Sequence, residues 1–525
     1  MTANTMGTTP STVAAHCARR FAQRPCLVHG QRRWTFGEFW RQVEALASGL
    51  AARLPQGARV GLFMANRAEY MLLQFALERA GLVRVPMNMR FTRHEAATIL
   101  TDCEAAAVFY DGATVDRADA LAGEFDGLWF CRVDGEAARG GPAWPALAAS
   151  EGTLPDFTQP EALCSINYTS GTSGVPKGVM LTHRNWSALT RNMLIDRDMR
   201  RDDRVGHVGP LTHASGTYFV PWFLRGACNV IVEGATVDGL LEAIGRESIT
   251  VFTCVPTVLT RIVNHPRLAE YDLSSLRAIG YGAEPIPFNT LEKALARFGP
   301  ILTQNYGLTE AMMTVTTLAP DDHFVLDEAS GQRLPRSGCI GQPYTFVEVV
   351  LRDEQGRPVP VDEIGEITIR SEHMTMGYWK RPEETAKVLL EGWLWTGDLA
   401  RCDAQGFITM AGRGKDMLIS GGFNIYPAEL EAVLTNHPQV VEAAVFGVPD
   451  PDWGEIAVAF VVGAPGARPS AKDLLDHCKP LLGLRAPRRF AFVDSLPKNA
   501  NGKVDKPKLK ATALETFVGN QHVAA

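Results

Sequence analysis

Short apolar runs recur through the first two-thirds of the chain, and stretches of helical periodicity separate them. Residues 60–64 form one such run; after it Met71, Leu72, Phe75 and Ala76 share one face at helical spacing. Further runs at 163–166, 230–232, 250–254, 276–279 and 301–304 read as strands, with helices expected over 238–247 and 287–298. Strands alternating with helices predict parallel sheets in an α/β architecture. From about Gly338 the texture changes. Residues 346–352, 365–370 and 406–410 alternate apolar and polar positions between Gly-bearing turns, the pattern of antiparallel strands or a small barrel. After the link Gly412-Arg413-Gly414-Lys415-Asp416 a compact α+β segment is expected, with a helix over 427–434, strands over 442–446 and 456–462, and a helix after Ser470. The end, from about Glu515, reads as frayed.

Composition narrows the class only a little. A chain of 525 residues suggests about three or four domain-sized units. With 46% hydrophobic and 21% charged residues it is ordinary for a globular protein, and a formal charge of -6 offers no basic field for nucleic acid. Ten cysteines are spread singly without a C-x-x-C pair, and the twelve histidines include no H-E-x-x-H, so reduced buried thiols are expected rather than disulfides or zinc. The first fifteen residues lack a basic stretch followed by a long apolar core, and no apolar run would span a bilayer. A cytoplasmic location is the resulting expectation.

The candidate chemistry starts at Tyr168-Thr169-Ser170-Gly171-Thr172-Ser173-Gly174-Val175-Pro176-Lys177-Gly178, directly after the run at 163–166. Glycines let successive backbone N–H groups point into one concavity, hydroxyls add donors, and Lys177 brings a compact positive charge. This is a polyphosphate cradle by composition, but not the Walker pattern: Pro176 stands where the second glycine belongs, and Gly178 replaces the Mg²⁺-binding hydroxyl. Other strand-like runs also end in unusual loops, Tyr281-Gly282-Ala283-Glu284 and Asn305-Tyr306-Gly307-Leu308-Thr309-Glu310. Ligands of open α/β sheets bind beyond the carboxyl ends of strands, so these loops are expected to share one cleft.

Further motifs follow in order: Pro210-Leu211-Thr212-His213, Gly377-Tyr378-Trp379, Trp395-Thr396-Gly397-Asp398, Gly412-Arg413, Ser420-Gly421-Gly422-Phe423-Asn424-Ile425 and Pro497-Lys498-Asn499-Ala500-Asn501-Gly502-Lys503. In this order and spacing, from about Trp34 to Lys503, the chain closely resembles the adenylate-forming superfamily. That group includes acyl-CoA synthetases, aryl-CoA ligases, nonribosomal-peptide adenylation domains and beetle luciferase. The resemblance implies an AMP-forming ligase that turns a carboxylate and ATP into an acyl-adenylate and diphosphate, then forms acyl-CoA. Transfer to a carrier-protein thiol is the alternative. It implies an α/β fold: residues 1–412 as two parallel-sheet subdomains plus a small antiparallel barrel, and 413–525 as a small mobile α+β lid.

Residue roles come from the same resemblance. Thr169, Ser170, Gly171, Thr172, Ser173, Gly174 and Lys177 would hold phosphates, and Glu310 with Thr169 would bind Mg²⁺. Tyr306 would stack on adenine, flanked by Gly282, Ala283 and Glu284, with Asn305 at its edge and Gly307 and Thr309 alongside. Asp398 and Arg413 would hold the ribose. Lys503 would reach the α-phosphate, Lys415 would be the hinge, and Ser420, Gly421, Gly422 and Phe423 would form the loop used with CoA. His213 would line the acyl pocket; His183 is read as structural.

Two positions bear on the acid. Thr212-His213-Ala214-Ser215 supplies no carboxylate for an amino-acid ammonium. Gly307 stands where acetate-type enzymes carry a tryptophan, which is read as room for a larger acid. With Tyr218, Phe219, Tyr281, Met312 and Met313 as the other wall residues, a medium-chain fatty or an aryl acid is expected. The expected partners are that acid, ATP and CoA, with no nucleic acid and no transmembrane segment, and a homodimer as candidate assembly.

Overall fold

The computed structural model describes residues 9–136, 141–152, 154, 159–169, 176–234, 236–326, 332–464, 466–467, 469–498 and 504–519. Its first sheet has six strands in the order Trp129–Arg132, Ala105–Tyr110, Arg59–Phe63, Val83–Met87, Leu163–Thr169 and Lys177–Thr182. All neighbours are parallel except the last pair, which forms a hairpin. Val83–Met87 is buried at every position, as befits a parallel strand covered on both faces.

Helix Ala68–Arg79 shows where periodicity misleads. Met71, Leu72, Phe75 and Ala76 are buried, but so is every other residue from Ala68 to Glu78. A helix enclosed on all sides loses its polar face. Its Phe75 joins Phe39, Phe219 and Phe223 in an aromatic cluster with ring centres 5.1–6.4 Å apart. Tilted and edge-on pairs of this kind suit the ring quadrupoles.

The second sheet carries parallel strands Cys228–Ile231, Arg204–His207, Val251–Cys254, Ala278–Gly282 and Leu302–Leu308 in that order. The strand expected over 276–279 starts later, because Ser274 is drawn into a turn by the Asp272 carboxylate. Leu302–Leu308 folds back antiparallel on Ala311–Leu318, which pairs with Cys339–Pro343. Through that pairing the antiparallel strands Ile408–Arg413, Trp393–Cys402, Gly365–Arg370 and Glu348–Arg352 continue the same hydrogen-bonded path around their own apolar cluster.

After a single turn at Gly414–Asp416, a separate five-stranded sheet begins at Leu418–Ser420. Val440–Asp450 and Gly454–Gly463 are its long central hairpin, covered by helices Pro427–Thr435, Ala471–Leu482 and Lys506–Leu514. The end is not frayed at Glu515: Phe517 is buried, its ring centre 5.7 Å from that of Phe460, and its carbonyl accepts from Arg489 at 2.6 Å. All ten cysteines are free thiols, eight of them buried. Among the described residues no helix is long and apolar enough to cross a membrane.

Candidate active site

Two hairpins deliver the chemistry-bearing residues. In the first, Thr169 ends its strand opposite Lys177. Ser170, Gly171, Thr172, Ser173 and Gly174 lie outside the described residues. Segment 377–379 runs beside this hairpin, with the Trp379 N–H donating to Gly178 O at 2.7 Å and the Met180 N–H to Gly377 O at 2.9 Å. The Lys177 ammonium pairs with the Glu384 carboxylate and stands 5.4 Å from the centre of the Tyr378 ring. The Tyr378 hydroxyl donates to Glu310 Oε1 at 2.8 Å. Burial first, then the Glu310 charge, pushes the Tyr378 pKa up and keeps it a donor. Three segments distant in sequence, the 169–178 hairpin, Glu310 and 377–384, thus meet in one charged corner.

The second hairpin places Tyr306. Its hydroxyl donates to Asp398 Oδ2 at 2.7 Å, and Arg413 Nε donates to Oδ1 at 2.9 Å. Asp398 faces Arg413 across the antiparallel pair Trp393–Cys402 and Ile408–Arg413. The carboxylate is buried while the guanidinium is 51% exposed. Burial works against the Arg413 charge, but the Asp398 carboxylate outweighs it and the pKa rises. Burial and the same carboxylate hold the Tyr306 phenol well above its usual range. Both Asp398 carboxylate oxygens are therefore held by fixed donors.

Other expected site residues fall beside these corners, and some face elsewhere. Gly282 closes its strand where a Cβ would lie 2.2 Å from Asn305 O, so backbone contact demands glycine. Ala283 follows at φ +73°, and Glu284 turns back to accept from Thr257 N at 3.1 Å and Thr257 Oγ1 at 2.8 Å. That carboxylate caps the start of helix Pro256–Val263. Asn305 is buried and bonded to Arg197, Tyr344 and Tyr218. Thr309 lies in the turn between the Tyr306 strand and Ala311–Leu318. His213 precedes helix Ala214–Arg225, its Nδ1 3.1 Å from the Thr212 hydroxyl.

The expected acyl wall divides. Tyr218 and Met312 share one apolar cluster, with Met313 packed against it. Phe219 is completely buried in the aromatic cluster instead, because consecutive helical positions point about 100° apart. Tyr281 belongs to a third cluster, its hydroxyl 3.1 Å from His323 Nε2. Gly307 leaves no room of the kind expected: a Cβ there would lie 2.4 Å from Met313 N and 2.5 Å from Met313 Cα. The facing hairpin backbone, not a ligand, occupies that space.

In the link, Lys415 is exposed within the turn Gly414–Asp416, and its pKa is lowered by desolvation and then by Arg413. Asp416 accepts from Lys506 Nζ at 2.9 Å. Ser420 to Phe423 form a tight hairpin with Gly421 and Gly422 at positive φ. Trp453 packs beneath Gly421, and Phe423 is half exposed. Lys503 lies outside the described residues. His183 is fully buried, its pKa lowered to about 4 by burial and then by Arg84.

The sequence profile described as AMP-binding enzyme matches residues 14–379, and that of the AMP-binding enzyme C-terminal domain matches 429–503. The chain belongs to the AMP-binding enzyme family. Feruloyl-CoA synthase of an Amycolatopsis species is 36% identical over 94% of this chain and 96% of its own. The medium/long-chain-fatty-acid–CoA ligase FadD8 of Mycobacterium tuberculosis is 34% identical over 95% and 89%. The anthranilate CoA ligase AuaEII, solved in complex with anthranoyl-AMP, superposes with a TM-score of 0.89 at 26% identity, covering 97% of this chain and 98% of that one. This member of the family is an AMP-forming acid–thiol ligase of the acyl-CoA synthetase kind.

One residue of the charged corner escaped sequence reading. Glu384 sits in Arg381-Pro382-Glu383-Glu384-Thr385, where proline and acids read simply as the start of helix Pro382–Val388. Nothing local ties it to Lys177, some two hundred positions earlier.

Proposed function

We propose that the acid activated here is a medium-chain fatty or aryl carboxylate, and that both corners grip one ATP during its adenylation. Asp398 accepts the ribose hydroxyls, Arg413 steadies the same sugar, and Tyr306 offers its ring to adenine. Thr169, the hydroxyl- and glycine-rich loop after it, and Lys177 take the β- and γ-phosphates, Lys177 exchanging Glu384 for phosphate oxygen. Lys503 brings its charge to the α-phosphate and the attacking carboxylate oxygen. The acid oxygen attacks the α-phosphorus, the bond to the β-phosphate bridge breaks, and diphosphate leaves with both electrons. Fixed donors aimed at this developing charge are the main source of acceleration.

Glu310 and the Thr169 hydroxyl are oxygen donors of the sort a hard divalent cation takes, and among the described residues Glu310 is in no ion pair, only accepting from a neutral phenol. Mg²⁺ held there would offset charge on the leaving phosphates. In the second half-reaction the lid, residues 413–525, turns about Lys415. The Ser420–Phe423 hairpin then replaces Lys503 at the cleft, and the CoA sulfur attacks the acyl carbon to expel AMP. A residue in a one-turn link can absorb such a φ/ψ change.

The observation that supports this reading most is the Asp398 carboxylate, buried yet aligned by Tyr306 and Arg413. The test is AMP release across a panel of aliphatic and aryl acids, with and without CoA. AMP release with medium-chain or aryl acids, and only with CoA present, is expected; no acid-dependent exchange of diphosphate into ATP would overturn the reading.

A further inference from the structure

Arg197 follows helix His183–Asp196 directly and turns its guanidinium inward to the Asn305 strand. Nη1 donates to Asn305 Oδ1 at 2.7 Å, the Tyr344 hydroxyl donates to that same oxygen at 2.7 Å, and Asn305 Nδ2 donates to the Tyr218 hydroxyl at 3.0 Å. The guanidinium carbon lies 6.0 Å from the centre of the Tyr218 ring. Asn305, Tyr218 and Tyr344 are only 6%, 4% and 2% exposed. The side chains that touch this cation, Asn305, Tyr218 and Tyr344, are neutral.

The nearest acids in sequence face elsewhere. Asp196 accepts from Thr345, and Asp198 pairs with Arg200 and Arg277. Among the described residues no carboxylate lies within ion-pair distance of Arg197, whereas the inward-turned Arg67, Arg204 and Arg277 each hold at least one. Arg197 is itself partly buried, so the lack of a counter-charge carries part of the cost of full withdrawal from water. The partial charge at the helix C-terminus offsets only part of that cost. A guanidinium carries five N–H donors in a fork that matches a carboxylate, whereas Asn305, Tyr218 and Tyr344 offer it neutral oxygens.

The place of this cation matters. Tyr218 belongs to the cluster with Met312 and Met313, the part of the expected acyl wall that does converge. We propose that Arg197 is a specificity-determining residue that receives a second oxygen-bearing group on the acid substrate, remote from the carboxylate being activated. The inference rests on the acid–CoA ligase reading and narrows it. The preferred acid carries a distal carboxylate or a phenolic or carbonyl oxygen, since a plain alkyl end would add nothing to the guanidinium's neutral partners.

The experiment compares matched acids in the CoA-dependent AMP-release assay: 3-phenylpropanoate, its 4-hydroxy and its 4-carboxy derivatives, and octanoate against octanedioate. In the unmodified protein, at least one oxygen-bearing acid of a matched set should exceed its plain partner by roughly tenfold or more in kcat/KM. The arms separate carboxylate from phenol. Arg197→Met should collapse that ratio towards one, chiefly through KM, and Arg197→Lys should restore part of it for the carboxylate alone. A structural role would instead lower all acids equally in both variants, and that result would overturn the proposal. Absence of any preference in the unmodified protein would do so even if neither variant folds. Failure of the ligase reading looks different, because no acid would then drive diphosphate exchange.

Discussion

The two charged corners are built on opposite plans. At the sugar end, Asp398, Tyr306 and Arg413 are fixed by a strand register and two short hydrogen bonds, so little has to move when a nucleotide arrives. At the proposed phosphate end the cation is engaged elsewhere, since Lys177 holds Glu384. On the proposed reading, such a site would recognise the nucleoside through pre-organisation and register the triphosphate through exchange. Effects on catalysis should therefore concentrate at the phosphate end, and effects on recognition at the sugar end.

The sharpest break in that contrast is Lys503→Ala. Loss of one donor to developing charge should cost about 3 kcal/mol or more, roughly a hundredfold or more in the adenylation rate. Thioester formation from a supplied acyl-adenylate should survive, because the α-phosphate charge has by then already formed. Equal loss in both half-reactions would remove Lys503 from this role. Asp398→Asn comes next, with about 1.5–3 kcal/mol lost in kcat/KM for ATP, as for hydrogen bonds to a charged group. Arg413 stays half in solvent and is not stranded, so the melting temperature should move far less than ATP affinity. Gly307→Ala tests folding instead of binding. A Cβ 2.4 Å from Met313 N should destabilise the protein by about 1–3 kcal/mol, visible as a lower midpoint in urea. A shift in chain-length preference at unchanged stability would show that the pocket reading of Gly307 was right after all.

Legibility in the sequence followed the same division. Strands and motif loops of the parallel sheets could be read because buried apolar runs and Gly-rich ends are local signals. The antiparallel strands at 365–370 showed through their alternation and match Gly365–Arg370. Direction of side chains was harder. Tyr218 and Phe219 are equally apolar neighbours, yet only one faces Met312, since the helix turns about 100° between them. Glu284 read as a nucleotide neighbour, but two bonds from Thr257 commit it to a helix start. Gly307 read as empty space, which a glycine can equally mark by another backbone filling it. Glu384 and Arg197 left no motif at all, because their partners are brought near only by the tertiary fold.

The smallest expected effect is the most specific to the exchange idea. Glu384→Gln removes the carboxylate that Lys177 must release and a negative charge facing the incoming phosphates. The side chains are 26% and 35% exposed, so the pair contributes only about 0.2–1 kcal/mol, and ATP should bind up to a few-fold more tightly. The hydrogen bond from Lys177 lowers the Glu384 pKa below the ordinary carboxylate value. The competing pair is therefore intact above that value and is lost as pH falls through the depressed one. The affinity gap between variant and parent should stay constant from about pH 8 to about pH 6 and close only in more acidic solution. Equilibrium binding of a non-hydrolysable ATP analogue measures it directly. Weaker binding by Glu384→Gln at neutral pH would mean that Glu384 positions Lys177 for the phosphates rather than competing with them, and the contrast between the two corners would lose its physical basis.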